Sequence, residues 1–487
     1  MFPILRRRRE KPSAARTSRA ALLLGCLMLS LASCSRPHDA PNLVLPQISF
    51  APTDRVLILV PHPDDEVIAC AGVIQGALAA HCPVHVVFLT YGDGNQWAFS
   101  LYRRHPVVLP AALKSMGRLR HDEALAALAS LGLARENIFF LGYPDYSTLE
   151  IWESHWGHRP PGESLFTHAV AVPYADAWQP GAPYKGDRIL DNLETMLRMF
   201  RPTKVFVSHP ADDHSDHKAL YLFTRVALWD VFADDDAQTP LVYPFLIHCA
   251  RWPQPQGLHP DVPLSPPDLP ANGVPPSWFS CPLSPDEVAA KHAALLKHRS
   301  VLAANSGYLL SFVRPNEIFG DLPVVRLAGE PRSSLSPLER ASDPPQVPEG
   351  LLDEERVAFV GVVDRSAGVQ DRRLTISVAF SRPLGQAVGV SVFLFGYRHD
   401  RPFSDMPKLH VRFGAVNHEV YDQDKLLPTS SVELTRCSDR VTIRVPLDLL
   451  ADPDRVLTSV RTYLSALPLE GSSWRVLQLP VPSGATP

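Results

Sequence analysis

The sequence has little net charge, and this limits the kinds of partner that the protein can bind. Its 487 residues contain 47 lysines and arginines against 51 aspartates and glutamates, which gives a formal charge of −4. Nucleic-acid-binding domains are usually basic, so a near-neutral chain argues against nucleic acid as a partner. Proline, by contrast, is abundant, with 49 residues that gather in predicted loops. The length is sufficient for about two or three domains.

The chain begins with a segment that has the composition of an export signal. Arg6–Arg9 form a positive stretch, and the apolar run that follows has signal-peptide length but is too short to span a bilayer. The run ends in Leu31-Ala32-Ser33-Cys34, which resembles a bacterial lipobox, in which the cysteine is lipidated and becomes the mature N-terminus. We therefore predict a lipoprotein signal peptide over 1–33, a tether over 34–52 and a membrane anchor at Cys34. The serine after this cysteine favours the outer membrane. The alternative is an ordinary cleaved signal peptide.

Cysteine is scarce, since the chain has seven and two of them fall in the N-terminal segment. An exported protein can form disulfides, but the five remaining cysteines are an odd number, so at least one is free. Cys70 and Cys82, if they lay on one helix, would be ~18 Å apart, which is too far for a disulfide. Cys249 and Cys281 flank a proline-rich loop and are predicted to pair. Buried thiols are the alternative for all five.

A Pro-His-Pro-Asp-Asp-Glu motif at residues 61–66 follows the apolar run 55–60, which is typical of a buried parallel strand. A helical pattern begins directly after the motif. One histidine and three carboxylates thus lie where a strand ends and a helix begins, which is where α/β folds bind ligands. His62 and Asp65, three residues apart, can point at one metal ion, while Asp64 points elsewhere. The alternative is that one of the two aspartates only caps the helix.

A second histidine- and aspartate-rich cluster weakens that alternative. Residues 209–217, with the sequence His-Pro-Ala-Asp-Asp-His-Ser-Asp-His, follow the apolar strand 204–208 and open another helix. Histidine and carboxylate are ordinary zinc ligands, and a catalytic zinc site keeps one position open for water. Two such strand ends are what a mononuclear zinc site on an α/β sheet requires.

The first motif, together with His-Ser-Asp-His at 214–217, resembles the PIG-L/LmbE-like zinc-dependent N-deacetylases. These enzymes cleave N-acetylglucosamine amides in glycolipids, thiol glycosides and related sugars. The resemblance covers roughly residues 53–325. It implies one zinc ion held by His62, Asp65 and His217.

The same resemblance implies roles for the neighbouring side chains. Asp64 would be the general base that takes a proton from water and passes it to the leaving amine. His214, one turn before His217, would stabilise the oxyanion in its protonated form. Asp216 would either orient that imidazole or support a metal ligand.

Two further residues match substrate-binding positions of the family. Arg120 lies on a helix predicted near 113–131, and the family's arginine at this position helps to hold substrate. A surface salt bridge is the equally weighted alternative for Arg120. Asp145 follows the strand predicted at 138–141, where family members place an aspartate that contacts substrate.

These segments predict an α/β fold, with a Rossmann-like, mostly parallel sheet flanked by helices over 53–327. Within this deacetylase-like domain the sequence predicts a long loop at 95–112 and a single helix over 285–303. Residues 328–352 are rich in proline, serine and charged side chains and are predicted to form a linker.

Beyond the linker, apolar residues alternate with polar or small ones, as in Leu374–Phe380, Val388–Leu394 and Val441–Val445. Several short alternating strands separated by turns favour an all-β sandwich over 353–487. The sequence of this domain shows no cluster of metal-binding or nucleophilic residues. Carbohydrate binding and a purely structural or protein-interaction role are both compatible with it.

The resemblance implies that the protein removes the N-acetyl group from an N-acetylglucosamine-type sugar. An exported, lipid-anchored enzyme would meet cell-surface polysaccharide, peptidoglycan, lipopolysaccharide or glycolipid. One alternative is an amidase that acts on another acyl amide or on a thiol-glycoside conjugate. Another is a catalytically idle carbohydrate-binding surface lipoprotein, although Asp64 and the three ligand positions argue against it.

Overall fold

The structure is a computed structural model that describes residues 44–104, 109–232, 238–269, 276–329, 335–341, 347, 352–464 and 467–480. The predicted signal peptide, most of the predicted tether and Cys34 lie outside these residues. Among the described helices, none combines the length and the hydrophobicity that crossing a bilayer requires.

The central sheet of the α/β region, by which we mean residues 45–321, has five parallel strands: β1 (Val56–Val60), β2 (Val84–Thr90), β3 (Ile138–Tyr143), β4 (Lys204–Ser208) and β5 (Leu241–Phe245). Their order is β3-β2-β1-β4-β5. β1 is buried along its whole length, as expected for a central parallel strand. The chain runs outward from β1 to β2 and β3 on one side of the sheet and continues with β4 and β5 on the other side. The switch point therefore lies between β1 and β4, and the two motifs, which follow these two strands, meet there. The predicted mostly parallel sheet is confirmed.

The remaining elements of this region are helices and one antiparallel strand pair. They are α1 (Asp65–Ala79), α2 (Gln96–Arg103), α3 (Pro110–Ser130), α4 (Thr148–Ser154), α5 (Gly186–Phe200), α6 (Ser215–Phe232), α7 (Pro285–Leu295) and α8 (Arg299–Leu310), with β6 (Ser277–Pro282) and β7 (Asn316–Asp321) and a 3-10 turn at Arg135–Asn137. The prediction of a long loop over 95–112 is wrong, because α2 and the start of α3 fall within these residues.

The single helix predicted over 285–303 is also wrong, because the chain breaks between α7 and α8. At His298 the backbone leaves the helical region, with φ −76° and ψ 59°. The buried imidazole of His298 bonds to Glu66 at 2.9 Å. This buried polar contact is a tertiary interaction that the apolar spacing of the sequence does not reveal.

The C-terminal β region, residues 325–480, consists of two layers of mostly antiparallel strands. They are β8 (Val325–Arg326), β9 (Ser336–Arg340), β10 (Val362–Gln370), β11 (Arg373–Phe380), β12 (Val388–Tyr397), β13 (Lys408–Phe413), β14 (His418–Asp422), β15 (Lys425–Leu427), β16 (Glu433–Cys437), β17 (Arg440–Pro446), β18 (Arg455–Leu464), β19 (Leu467–Gly471) and β20 (Arg475–Gln478), with α9 (Asp353–Ala358) and 3-10 turns at Phe403–Asp405, Thr429–Ser431 and Leu447–Leu450.

One sheet of the β region has the order β16-β17-β11-β10-β9, and the other has the order β15-β14-β13-β12-β18-β20-β8 with β19 beside β18. Alternate residues such as Ile376 on β11 and Val392 on β12 are fully buried in one hydrophobic cluster between the sheets. The predicted β-rich C-terminal fold is confirmed. β9 lies inside the predicted linker and pairs with β10. Its five residues, two of them charged, carry too little alternation to be recognised as a strand. The domain boundaries stay a prediction.

The outer face of the larger β sheet packs against α4 through aromatic rings. Trp152 of α4 is fully buried, and its ring centroid lies 5.8 Å from that of Phe395 and 5.2 Å from that of Phe403. Trp474 approaches the same indole edge-on at 6.3 Å. The hydrophobic core of the α/β region therefore continues into the β region, and the described residues from 45 to 480 form one compact unit.

The predicted disulfide between Cys249 and Cys281 is wrong. Both are free thiols, as are the other described cysteines. Cys281 is buried on β6, where Cys70 and Glu317 are its electrostatic neighbours, whereas Cys249 forms an isolated β-bridge with Trp252. The proline-rich loop thus brings the two thiols into different surroundings.

Candidate active site

The loops that follow β1, β4 and β5 surround a cavity of about 480 Å³. Helix α3, the loops after β2 and β3, and helix α8 contribute further lining residues. The polar groups that line the cavity are His62, Asp64, Asp65, Asn95, Arg120, Asp145, Tyr146, His214, His248, Asn305 and Tyr308.

The structure brings the three residues predicted as metal ligands together. The Oδ2 atom of Asp65 lies 3.3 Å from Nδ1 of His62 and 3.3 Å from Nε2 of His217. All three side chains are buried. The carboxylate therefore stands between the two imidazole rings, one from the loop after β1 and the other from the first turn of α6.

This donor set fits a zinc ion, since imidazole and carboxylate are its usual ligands. Neither ring nitrogen of the buried His217 makes a well-formed hydrogen bond with a described group, although buried polar atoms normally have partners. A second grouping is available, because ring nitrogens of His62, His214 and His217 lie within 4.8 Å of one another. His62 and His217 belong to both sets, so the sets differ only in whether Asp65 or His214 supplies the third donor.

Asp64 is held in an uncommon backbone conformation, with φ 131°. Its N–H donates to Oε2 of Glu66 at 2.8 Å, and its Oδ1 accepts from Nη2 of Arg120 at 3.1 Å. Arg120 also donates to the carbonyl oxygens of Pro63 and Gly92, each at 2.7 Å. A Cβ at Gly92 would clash with the guanidinium group. The alternative of a surface salt bridge for Arg120 is wrong, because this buried side chain orients the Asp64 loop.

The surroundings of Asp64 suit proton transfer. Burial raises the pKa of the Asp64 carboxyl to about 6, and the neighbouring Arg120 opposes that rise. A carboxyl group whose pKa lies near neutral pH can both accept and release a proton.

Asp145 and Asp216 both approach Nε2 of His62, at 3.0 and 3.1 Å. Asp216 also accepts two hydrogen bonds at the start of α4, from the N–H of Thr148 at 3.1 Å and from its hydroxyl at 2.5 Å. By contrast, Nδ1 of His214 lies 4.0 Å from the Asp216 carboxylate. Of the two roles predicted for Asp216, the geometry favours support of His62.

His214 lies at the cavity, one turn before His217. Its Nδ1 accepts the backbone N–H of Asp216 at 3.2 Å, so in a neutral ring the proton is on Nε2. Burial, together with the nearby His62 and His217, lowers the pKa of His214 well below its usual value. The structure therefore favours a neutral ring over the predicted protonated one. Its N–H remains a suitable donor to an oxyanion.

His248 lines the same cavity, and sequence reasoning missed it. Its imidazole centroid lies 5.1 Å from that of His214 and 4.6 Å from that of His217. A signal was present, because His248 directly follows the apolar residues 245–247, as the two motifs follow apolar runs. Asp212 bonds to His248 and lies 3.1 Å from His217.

Residues 57–228 match the family model PIG-L, described as GlcNAc-PI de-N-acetylase. These residues form a PIG-L family domain.

A curated relative of this PIG-L domain is the 1D-myo-inositol 2-acetamido-2-deoxy-alpha-D-glucopyranoside deacetylase of Rhodococcus opacus (strain B4). It is 33% identical over 93 residues, which are 18% of this chain and 29% of that protein. The match thus spans less than a third of the relative's own length.

Two solved structures resemble about half of the chain. The N,N'-diacetylchitobiose deacetylase from Pyrococcus horikoshii is 18% identical, with a TM-score of 0.32, and the match covers 55% of this chain and 82% of that one. The conserved protein TT1542 from Thermus thermophilus is 19% identical, with a TM-score of 0.30, and the match covers 53% and 84%.

The PIG-L match ends before β5. His62, Asp64, Asp65, Arg120 and the second motif lie inside it, whereas His248 and α8 lie outside. Part of the cavity wall is therefore formed by residues that follow the match.

Proposed function

We propose that this protein is a zinc-dependent hydrolase that removes the N-acetyl group from an N-acetylglucosamine-type sugar in a glycan or glycolipid. The observation that carries the proposal is the approach of His62, Asp65 and His217 at a cavity, with the Asp64 carboxylate beside them. The PIG-L match over these residues and the deacetylase name of the matched relative support the same reaction.

Bound zinc would lower the pKa of water toward ~7 and polarise the amide carbonyl. The chain itself supplies proton transfer and hydrogen bonds. Asp64, oriented by Arg120, accepts a proton from the attacking water and delivers it to the leaving nitrogen. The N–H of His214 donates to the oxygen that gains negative charge. The carbonyl carbon gains a bond to oxygen and loses its bond to nitrogen, so the products are acetate and a free amine.

The test is acetate release by the purified protein from a panel of N-acetylated mono- and oligosaccharides, with zinc measured on the same samples. We expect about one zinc ion per chain, inactivation by a chelator and recovery when zinc is restored. Acetate release from other acyl amides or thiol-glycoside conjugates alone would favour the amidase alternative. Sugar binding without hydrolysis by a zinc-free protein would favour the alternative of a catalytically idle carbohydrate-binding protein.

We also propose that the protein is an exported bacterial lipoprotein of the outer membrane, anchored through Cys34. The support is the basic stretch, the apolar run and Leu31-Ala32-Ser33-Cys34, all of which lie outside the described residues. Cys34→Ala should release the protein from membranes or leave its precursor uncleaved. Unchanged membrane fractionation and unchanged mass would contradict the anchor.

A further inference from the structure

The wall of the cavity that lies beyond the PIG-L match presents one imidazole to the substrate space. His248 follows β5, and its side chain is 35% exposed, whereas the His217 side chain is fully buried. The backbone just before His248 is tied to α8, because the Tyr308 hydroxyl donates to the carbonyl oxygen of Ile247 at 2.6 Å. His248 is therefore accessible from the cavity and sits on an anchored loop.

Asp212 fixes the orientation of the His248 ring. The backbone N–H of His248 donates to Oδ2 of Asp212 at 3.0 Å, and Nδ1 of the ring lies 3.1 Å from Oδ1. The Asp212 carboxylate accepts hydrogen bonds only, so Nδ1 carries the proton of this contact. In a neutral ring Nε2 is then a hydrogen-bond acceptor.

Asp212 also makes it difficult for His248 to serve as a metal ligand. Besides His248, this buried carboxylate accepts the N–H groups of His214 at 2.9 Å and Ile247 at 3.0 Å. Nδ1 of His217 lies 3.1 Å from the same carboxylate. A metal shared by Asp212, His217 and His248 would have to displace contacts that hold two loops together.

We propose that His248 is a specificity-determining residue whose Nε2 accepts a hydrogen bond from a hydroxyl group of the sugar substrate. The inference rests on the proposed function, since it places a sugar in the cavity. Hydroxyl-rich ligands need acceptors in fixed positions, and a site built to bond a hydroxyl discriminates against analogues that lack it. His248 does not act on the reacting atoms, because zinc ligands, base and oxyanion donor are all supplied by other residues.

Two substitutions separate the functions of the two ring nitrogens. His248→Asn keeps an N–H group near the position of Nδ1, so the contact with Asp212 can persist while the acceptor at Nε2 is lost. His248→Gln carries its amide further out, near the position of Nε2. His399→Asn is a matched control, because His399 bonds to Asp454 through its backbone N–H at 3.0 Å and its Nδ1 at 2.7 Å on the exposed surface of the β region.

The experiment measures kcat, KM and zinc content for the native enzyme and these variants. The substrates are N-acetylglucosamine oligomers and analogues that each lack one hydroxyl. We expect His248→Asn to raise KM roughly tenfold, the size of one hydrogen bond, with kcat nearly unchanged and zinc retained. The native enzyme should discriminate against one deoxy analogue, and His248→Asn should lose that discrimination. His248→Gln should recover part of it, and His399→Asn should behave as the native enzyme.

Four results would overturn the inference. Loss of zinc from His248→Asn would make His248 a ligand, and a fall in kcat at constant KM would place it in the chemical step. Unchanged kinetics on every substrate would remove it from substrate binding. If the native enzyme hydrolysed none of these sugars, the proposed function itself would fail, and the inference with it.

Discussion

The active-site cluster and the junction between α4 and the β region are both buried, but they bury opposite kinds of side chain. The cluster holds histidines and aspartates within 3.0–3.3 Å of one another, and neither ring nitrogen of His217 makes a well-formed hydrogen bond with a described group. Such groups cost stability unless a ligand completes their contacts. The junction holds stacked and edge-on aromatic rings, whose burial stabilises the fold.

The two regions meet on α4, a helix of seven residues. Thr148 at its start bonds to Asp216, which supports His62, and Trp152 one turn later packs on the β region. One short helix therefore carries both a contact that supports the candidate active site and a contact that stabilises the fold. Substitutions in the cluster should therefore reduce rate, and substitutions at the junction should first reduce stability.

The largest effect is expected from removing a metal ligand. His217→Ala leaves two of three predicted protein ligands, so the purified variant should contain little zinc. Its activity should fall by more than the ~10²–10⁴-fold that a general base contributes, and excess zinc should restore part of it. Metal analysis and acetate release check this. A zinc-replete, inactive His217→Ala would contradict the assignment.

The next effect is loss of the base without loss of metal. Asp64→Asn keeps the shape of the side chain but removes the proton acceptor, so the rate should fall roughly 10²–10⁴-fold at unchanged zinc content. Added zinc should not rescue the variant. If purified Asp64→Asn contained no zinc, Asp64 would be a metal ligand and not the base.

His214→Ala is the companion measurement for this variant. Because His214 is the proposed hydrogen-bond donor to the oxyanion, His214→Ala should lower the rate by about 10²–10³-fold and should retain zinc. Loss of zinc from His214→Ala, and not from Asp65→Ala, would instead select the set of three histidines as the metal site.

At the junction the expected loss is in stability. Trp152→Ala removes a fully buried indole and should lower the free energy of unfolding by about 3–5 kcal/mol, while zinc content stays unchanged. Denaturant unfolding measures the loss, and Trp152→Phe, which keeps a ring, should lose less. If Trp152→Ala lost less than about 1 kcal/mol, the two regions would be independent, and the continuous core would not matter for folding.

The smallest effect is expected from the ion pair at the same junction. Nη2 of Arg461 lies 2.8 Å from Oε1 of Glu153, and both side chains are mostly buried. Glu153→Gln should lower the free energy of unfolding by about 1.5–3 kcal/mol, the usual value of a hydrogen bond to a charged group. Glu163→Gln, which breaks an exposed pair with His168, is the control and should change nothing measurable. A double-mutant cycle with Arg461→Gln measures the interaction energy between the two side chains. If the losses of the two single variants simply added in the double variant, the ion pair would not contribute to stability.

The amino-acid sequence alone determined the features that depend on local pattern. Hydrophobic runs of the right length predicted the parallel strands, and alternation predicted the β region, because burial imposes a period on a strand. The two motifs placed His62, Asp64, Asp65, His214 and His217 at strand ends, and parallel strands end at one edge of a sheet. Their convergence was therefore predictable from the order of the elements.

Only the tertiary structure decided the contacts between segments that are distant in the chain. The sequence is compatible with Arg120 as a surface residue, because its carbonyl and carboxylate partners lie on two loops that are distant from it in the chain. The contact of Asp212 with His248 joins the ends of β4 and β5 and leaves no spacing signal. The break at His298 and the packing of Trp152 depend in the same way on partners far along the chain. Local sequence specifies which face of an element is apolar, whereas the identity of the partner depends on how all the elements pack together.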